Sequence, residues 1–176
     1  MGTIQILQTS ITSLETDAIV NAANEGLWQG SGVCGAIFRA AGADQLQAAC
    51  NEIGGCPTGS AIITPGFHLK AKYIIHAVGP RWAGGSFNEP KLLYSAYRES
   101  LALAARNGCR SIGFPLISAG VFGYPMRDAW RIAIQACLDF QKESPALDVV
   151  FAVIDEDILD IGRGILAEMT GQNSRG

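Results

Sequence analysis

Residues 21–42, Asn-Ala-Ala-Asn-Glu-Gly-Leu-Trp-Gln-Gly-Ser-Gly-Val-Cys-Gly-Ala-Ile-Phe-Arg-Ala-Ala-Gly, concentrate the chemistry this chain can offer. An apolar strand, Asp17-Ala18-Ile19-Val20, runs into two asparagines, then a glycine loop, then a helix of small residues. Glycine lets the backbone approach a ligand closely, and the helix start adds unpaired N–H groups and a partial positive charge, so this segment can hold phosphate. Cys34 stands near that helix start, where a thiolate is favoured, and is a candidate nucleophile. Its bland alternative is a small side chain packed under the loop.

Gly30-Ser31-Gly32-Val33-Cys34-Gly35 also spells the dinucleotide pattern G-x-G-x-x-G. That fold needs the first glycine directly after the strand and an acid about 20 residues on, at the end of the next strand. Here residues 21–29 intervene, and the acid near that distance, Glu52, reads as part of a helix end before Gly54-Gly55. The phosphate cradle stands, and a nicotinamide dehydrogenase is disfavoured. A second cradle, Ser118-Ala119-Gly120-Val121-Phe122-Gly123, again lies between a strand, Ile112-Gly113-Phe114, and a helix, here the one after Pro125. Two cradles suit one extended phosphate ligand, because a diphosphate takes N–H donors from several directions; Phe122 can pack on a sugar or base.

Short apolar runs alternating with helical periods predict α/β architecture. Strands are expected near Thr3–Leu7, Ala18–Asn21, Ser60–Thr64, Tyr73–Val78, Ser111–Pro115 and Asp148–Ile154, with helices between them and hence a largely parallel sheet. After Pro125, Ala129, Ile132, Ala133, Ala136, Cys137 and Phe140 share one helical face. A helix over Pro90–Arg106 turns Leu93, Tyr97, Leu101 and Ala104 inward and stops at Asn107-Gly108. The last helix follows Asp155-Glu156-Asp157 and buries Ile158, Ile161, Ile165 and Met169. Ligands of such sheets sit at the carboxyl ends of the strands.

The chain has 176 residues, 48% hydrophobic and 16% charged, which suits one ordered domain over 1–170 with a fraying tail at 171–176. The longest apolar runs have strand length, so no membrane span is expected. Five cysteines without a C-x-x-C pair point to a reducing cytoplasm, and two histidines without ligand spacing argue against a structural metal. A net charge of −3 with scattered Lys and Arg argues against a general nucleic-acid surface. No long exposed apolar face demands a partner, so a monomer is expected.

Val20-Asn21-Ala22-Ala23-Asn24, Gly32-Val33-x-Gly35-Ala36-Ile37-x-Arg39-Ala40-Ala41-Gly42, Gly55-Cys56-Pro57-Thr58-Gly59, Ile75-His76-x-Val78-Gly79-Pro80 and Pro115-x-Ile117-Ser118-x-Gly120-Val121-Phe122-Gly123-Tyr124-Pro125 resemble the macrodomain family, in order and over nearly the whole chain. The resemblance implies a three-layer α/β/α sandwich around a mixed, largely parallel sheet, with ADP-ribose between the two loops. It further implies hydrolysis of mono-ADP-ribosyl esters on proteins and of O-acetyl-ADP-ribose, without a metal or cofactor. By position, Gly32, Val33 and Gly35 meet the diphosphate from one side, and Ser118, Ala119, Gly120, Val121, Phe122 and Gly123 from the other. Asn24 orients the distal ribose, and Ser10, Ile11 and Asn21 complete the ligand-contacting set.

The chain departs from the family pattern in places that bear on chemistry. Thr9-Ser10-Ile11 replaces the usual Gly-Asp-Ile, so adenine meets a hydroxyl, a weaker acceptor than a carboxylate, unless Ser10 only caps the turn that follows. Cys34 stands where related hydrolases carry an aspartate. Some viral macrodomains share this cysteine and hydrolyse ADP-ribosyl esters, which suggests a water held by a substrate phosphate. Phe38 replaces a common histidine and Ala119 a common threonine, both tuning packing. His76 reads as a satisfied core imidazole rather than a catalytic one, Asn21 can serve simply to tie down the backbone, and Trp28 shields the pocket mouth or covers the helix. The catalytic candidates are Asn24 and Cys34. The rival readings are a non-catalytic reader of ADP-ribose or ADP-ribosylated proteins, and a thiol enzyme.

Overall fold

The computed structural model describes residues 2–171; of the expected tail, 172–176 lie outside them. The elements are β1 (Ile4–Gln8), a 3-10 turn (Ile11–Ser13), β2 (Ala18–Ala22), α1 (Gly32–Ala41), α2 (Ala43–Ile53), β3 (Ala61–Pro65), β4 (Tyr73–Ala77), α3 (Glu89–Arg106), β5 (Ser111–Phe114), α4 (Met126–Glu143), β6 (Asp148–Val153) and α5 (Glu156–Thr170). They build one six-stranded sheet in the order β1-β6-β5-β2-β4-β3. All neighbours run parallel except β3 and β4, which pair antiparallel from Ala61 opposite Ala77 to Pro65 opposite Tyr73.

Helices were expected between all strands, and two connections differ. Residues 9–17 between β1 and β2 hold only the 3-10 turn, and residues 66–72 between β3 and β4 hold no helix. The seven residues 66–72 reverse the chain, so β3 and β4 pair antiparallel and the sheet is mixed, whereas residues 9–17 carry the chain past β6 and β5 to a parallel β2.

Side-chain alternation along the strands separates two cores. Ala18, Val20, Ile75, Ala77, Phe114 and Phe151 face a layer of α3, α4 and α5, where Tyr97 and Trp130 are the largest buried side chains. Ile19, Ile74 and Val78 face α1 and α2 on the other side, against Ile37, Phe38 and Leu46. This period-2 split makes the three-layer sandwich. The predicted inward face of α3 is buried as expected. On α5 the buried face is rotated to Leu159, Gly162 and Ile165, because Trp130 of α4 lies flat against Gly162. Among the described residues no helix is long and apolar enough to cross a membrane.

The topology also opens the site. From β2 the chain leaves to α1 on one face, and from the neighbouring β5 it leaves to α4 on the other. The two loops therefore diverge at the carboxyl ends of β2 and β5, the place where such sheets hold ligands.

Candidate functional site

A cavity of about 450 Å³ fills that crevice. Residues 22–24 and 30–34 form one wall, and residues 115–118 with 120–122 form the other; Gly79 and Arg81, after β4, close its side. Among the described residues, Arg81 is the only charged one lining it.

The first wall is the start of α1. Its N-cap, Ser31, makes no side-chain cap, and the loop folds back so that the Gly30 carbonyl lies 2.6 Å from where a Cβ on Gly35 would stand. Gly32, at φ +59°, faces open space. Among the described residues no acceptor engages the N–H groups of Ser31, Gly32, Val33 or Cys34, the orphan donors of a helix start. With the helix dipole behind them they form an anion seat.

The second wall is a closed loop. Tyr124 N–H donates to the Ser118 carbonyl at 2.9 Å and Gly123 N–H to the Gly120 carbonyl at 3.0 Å, while Trp82 N–H holds the Phe122 carbonyl at 2.8 Å. The N–H groups of Ala119, Gly120, Val121 and Phe122 have no acceptor among the described residues. Ser118 sits at φ +69°, costly for a residue with a Cβ, and its buried hydroxyl has no partner among the described residues. Its Oγ lies against Gly79, whose missing side chain lets the two strand ends approach.

Asn24 lines the cavity with its amide already engaged. Its Nδ2 donates to the Trp28 carbonyl and its Oδ1 accepts from Trp28 N–H, both at 2.9 Å. One N–H and one lone pair remain for a ligand. Cys34 is 7% exposed, and its Sγ receives Gly30 N–H at 3.4 Å and Asn21 Nδ2 at 3.6 Å and donates to the Trp28 carbonyl at 3.7 Å. Among the described residues no imidazole or carboxylate is a hydrogen-bond partner of it, so its geometry is that of a thiol packed under the loop.

Beneath Cys34 runs a buried polar chain. Asn21 Nδ2 reaches His76 Nδ1 at 3.1 Å, and His76 Nε2 reaches Thr64 Oγ1 at 3.0 Å. Thr64 Oγ1 donates to the Pro65 carbonyl, so it accepts from Nε2–H and leaves Nδ1 to accept from Asn21. Burial pushes the His76 pKa down to about 4, and the ring is neutral. His76 is thus a satisfied core imidazole.

Of the ligand-contacting candidates, Gly32, Val33, Ser118, Gly120, Val121 and Phe122 line the cavity together with Asn24 and Cys34. Gly35, Ala119 and Gly123 shape the walls from behind. Asn21, 1% exposed, lies below the cavity, and Ser10 and Ile11 are not in its lining. Ser10 caps the 3-10 turn, accepting from Thr12 N–H at 3.4 Å, and Ile11 packs into the α1-side core. Arg81 carried no signal in the sequence: it follows the last residue of a recognisable segment, and only the fold brings it 4.5 Å from the Phe122 ring.

The fold and the two-loop crevice define a nucleotide-binding α/β domain. The Macro domain family model matches residues 20–133. The Macro domain-containing protein CT2219 of Chlorobaculum tepidum is 47% identical over 93% of this chain and 95% of its own length. The O-acetyl-ADP-ribose deacetylase of Cronobacter sakazakii is 47% identical over 89% of each chain. The solved Oceanobacillus iheyensis macrodomain with ADP superposes with a TM-score of 0.92 at 38% identity, over 97% of this chain and 93% of that one. The chain belongs to the macrodomain family.

Proposed function

We propose that this macrodomain binds ADP-ribose in the crevice and hydrolyses mono-ADP-ribosyl esters, including O-acetyl-ADP-ribose. The observation that carries the reading is the pair of unpaired N–H arrays, Ser31–Cys34 and Ala119–Phe122, on opposite walls of one cavity. A diphosphate between them takes donors from both sides, and the ribose attached to it falls beside Asn24 and Phe122. The relative named a deacetylase and the relative holding ADP support the same ligand class.

In the proposed reaction, a water held by a substrate phosphate oxygen adds to the ester carbonyl, the bond from the acyl carbon to the ribose oxygen breaks, that oxygen takes up one proton of the water, and the carboxylic acid formed loses the other to solvent. The protein's part is positional and electrostatic: the fixed N–H groups hold the diphosphate, and the Asn24 amide, immobilised by Trp28, orients the ribose. No oxidation state changes, so the reaction calls for no redox cofactor. The five unpaired thiols fit a cytoplasmic setting.

A non-catalytic reader is favoured by one observation, the enclosed thiol of Cys34 where hydrolases carry a carboxylate. Calorimetry with ADP-ribose, combined with turnover of O-acetyl-ADP-ribose and of a mono-ADP-ribosylated acceptor, separates the two. The hydrolase predicts turnover that Asn24→Ala abolishes while ADP-ribose still binds. Binding without product in the parent protein identifies a reader, and undiminished turnover in Asn24→Ala refutes the assigned role of that amide.

A further inference from the structure

A second cavity, of about 410 Å³, adjoins the first and shares Asn24, Gly79, Arg81 and Phe122 with it as a common wall. Its remaining lining comes from Glu25, Gly26, Trp28, Thr58 and Val78. Of the Gly55–Gly59 segment, which has no part in the diphosphate cradle, Thr58 lines this cavity.

This cavity is a built site. Glu25 Oε2 accepts from Thr58 N–H at 3.2 Å and from Thr58 Oγ1 at 3.0 Å, and the Glu25 carbonyl accepts from Cys56 N–H at 2.9 Å, so the carboxylate is fixed at the outer end. The Trp28 indole lies against Gly26 so closely that a Cβ there would collide with it, yet it is 65% exposed, an aromatic wall open on one side. At the shared end, the Arg81 guanidinium rests over the Phe122 ring and has no carboxylate or hydrogen-bond partner among the described residues. The loop carrying Arg81 is held in turn. Glu89, 1% exposed, accepts the N–H groups of Ala83, Gly85 and Phe87 at 2.6–2.9 Å. The cavity thus has a cation in the wall it shares with the ADP-ribose crevice and a fixed anion outside that wall.

We propose that this second cavity is the acceptor pocket, and that it selects an acidic side chain in a peptide flanked by a basic residue. The acyl carbonyl of the linkage meets Arg81, and the basic neighbour meets Glu25. The inference rests on the proposed ADP-ribose reading, because it places the distal ribose at the shared wall. The size agrees: about 410 Å³ is in the roughly 300–1,000 Å³ range of small-ligand pockets, far more than an acetyl group fills. Trp28 and Phe122 supply flat apolar faces to the peptide, whereas Arg81 and Glu25 set its direction.

The test uses ADP-ribose and two peptides, each ADP-ribosylated on one glutamate through a non-hydrolysable amide and differing only in a Lys or a Glu beside it. Binding is measured by calorimetry at low and high salt. The protein is expected to bind the Lys-flanked peptide about three- to fivefold more tightly than the Glu-flanked one, the scale of an exposed charge pair, and salt shrinks the difference. Glu25→Gln keeps an acceptor for Thr58 but removes the charge, so the preference collapses while ADP-ribose affinity stays within about twofold. Arg81→Gln weakens both peptides relative to ADP-ribose. Equal binding of the two peptides by the parent protein, or an undiminished preference in Glu25→Gln, overturns the pocket assignment alone. Failure of the parent protein to bind ADP-ribose overturns the underlying reading and the pocket with it.

Discussion

Lowering the pH below neutral should destabilise this protein through His76. The imidazole is fully buried, accepts from Asn21 Nδ2 at Nδ1 and donates to Thr64 Oγ1 from Nε2. Protonation puts two donors, Nδ1–H and the Asn21 amide, face to face. The ring's pKa falls from 6.5 to about 4 through burial. In the unfolded chain it takes up a proton near 6.5, so between that value and about 4 the unfolded state binds more protons and stability drops as pH falls. At about 1.36 kcal/mol per unit, the loss relative to neutral pH reaches roughly 2 kcal/mol by pH 5 and roughly 3 kcal/mol by pH 4. That is a large part of a typical domain's stability of about 5–15 kcal/mol. Urea unfolding, followed by tryptophan fluorescence from pH 7.5 to 4, measures this slope. His76→Gln offers an acceptor and a donor but does not titrate, so its stability should fall less steeply by these amounts. Parallel curves for the parent protein and His76→Gln across this range refute the reasoning.

Three further outcomes follow from the site's construction. Gly35→Ala drives a methyl group against the Gly30 carbonyl, so the first loop must shift; a destabilisation of about 1–3 kcal/mol and weaker ADP-ribose binding are expected from melting and calorimetry. Ser118→Gly relieves a positive φ and removes an unpartnered buried hydroxyl, so it should stabilise by about 1 kcal/mol; a lowered melting temperature argues against strain at this position. For Glu89, burial raises the pKa, but the backbone N–H bonds from Gly85, Ala83 and Phe87 outweigh it and hold the carboxyl at about 2, against 4.5 when free. Its contribution is present above 4.5 and lost as pH falls toward 2, so Glu89→Gln should melt earlier than the parent protein at pH 7 and match it near pH 2.

The sequence by itself determined the order of the strands, both glycine cradles and most of the buried faces, because each rests on local physics, but not which connections lack a helix. Apolar spacing on α3 and α4, glycines at the loop-to-helix turn of α1 and the Asp155 cap of α5 act over a few residues. The tertiary structure decided what lies across space. Asn21, Cys34, His76 and Thr64 form one buried chain because β2 and β4 pair in register, placing Asn21 beside His76, and β3 brings Thr64 behind it. The same long-range packing turned α5 toward Trp130, whereas the Asn24 amide meets the Trp28 backbone only four residues on and the Cys34 thiol is held largely by residues 28 and 30 of its own loop. Long-range packing also carried Arg81 onto Phe122, residues that no local pattern links. Hydrogen bonds and charge contacts between distant segments depend on strand register and layer packing, so spacing along the chain could name the donors of the site but not their partners.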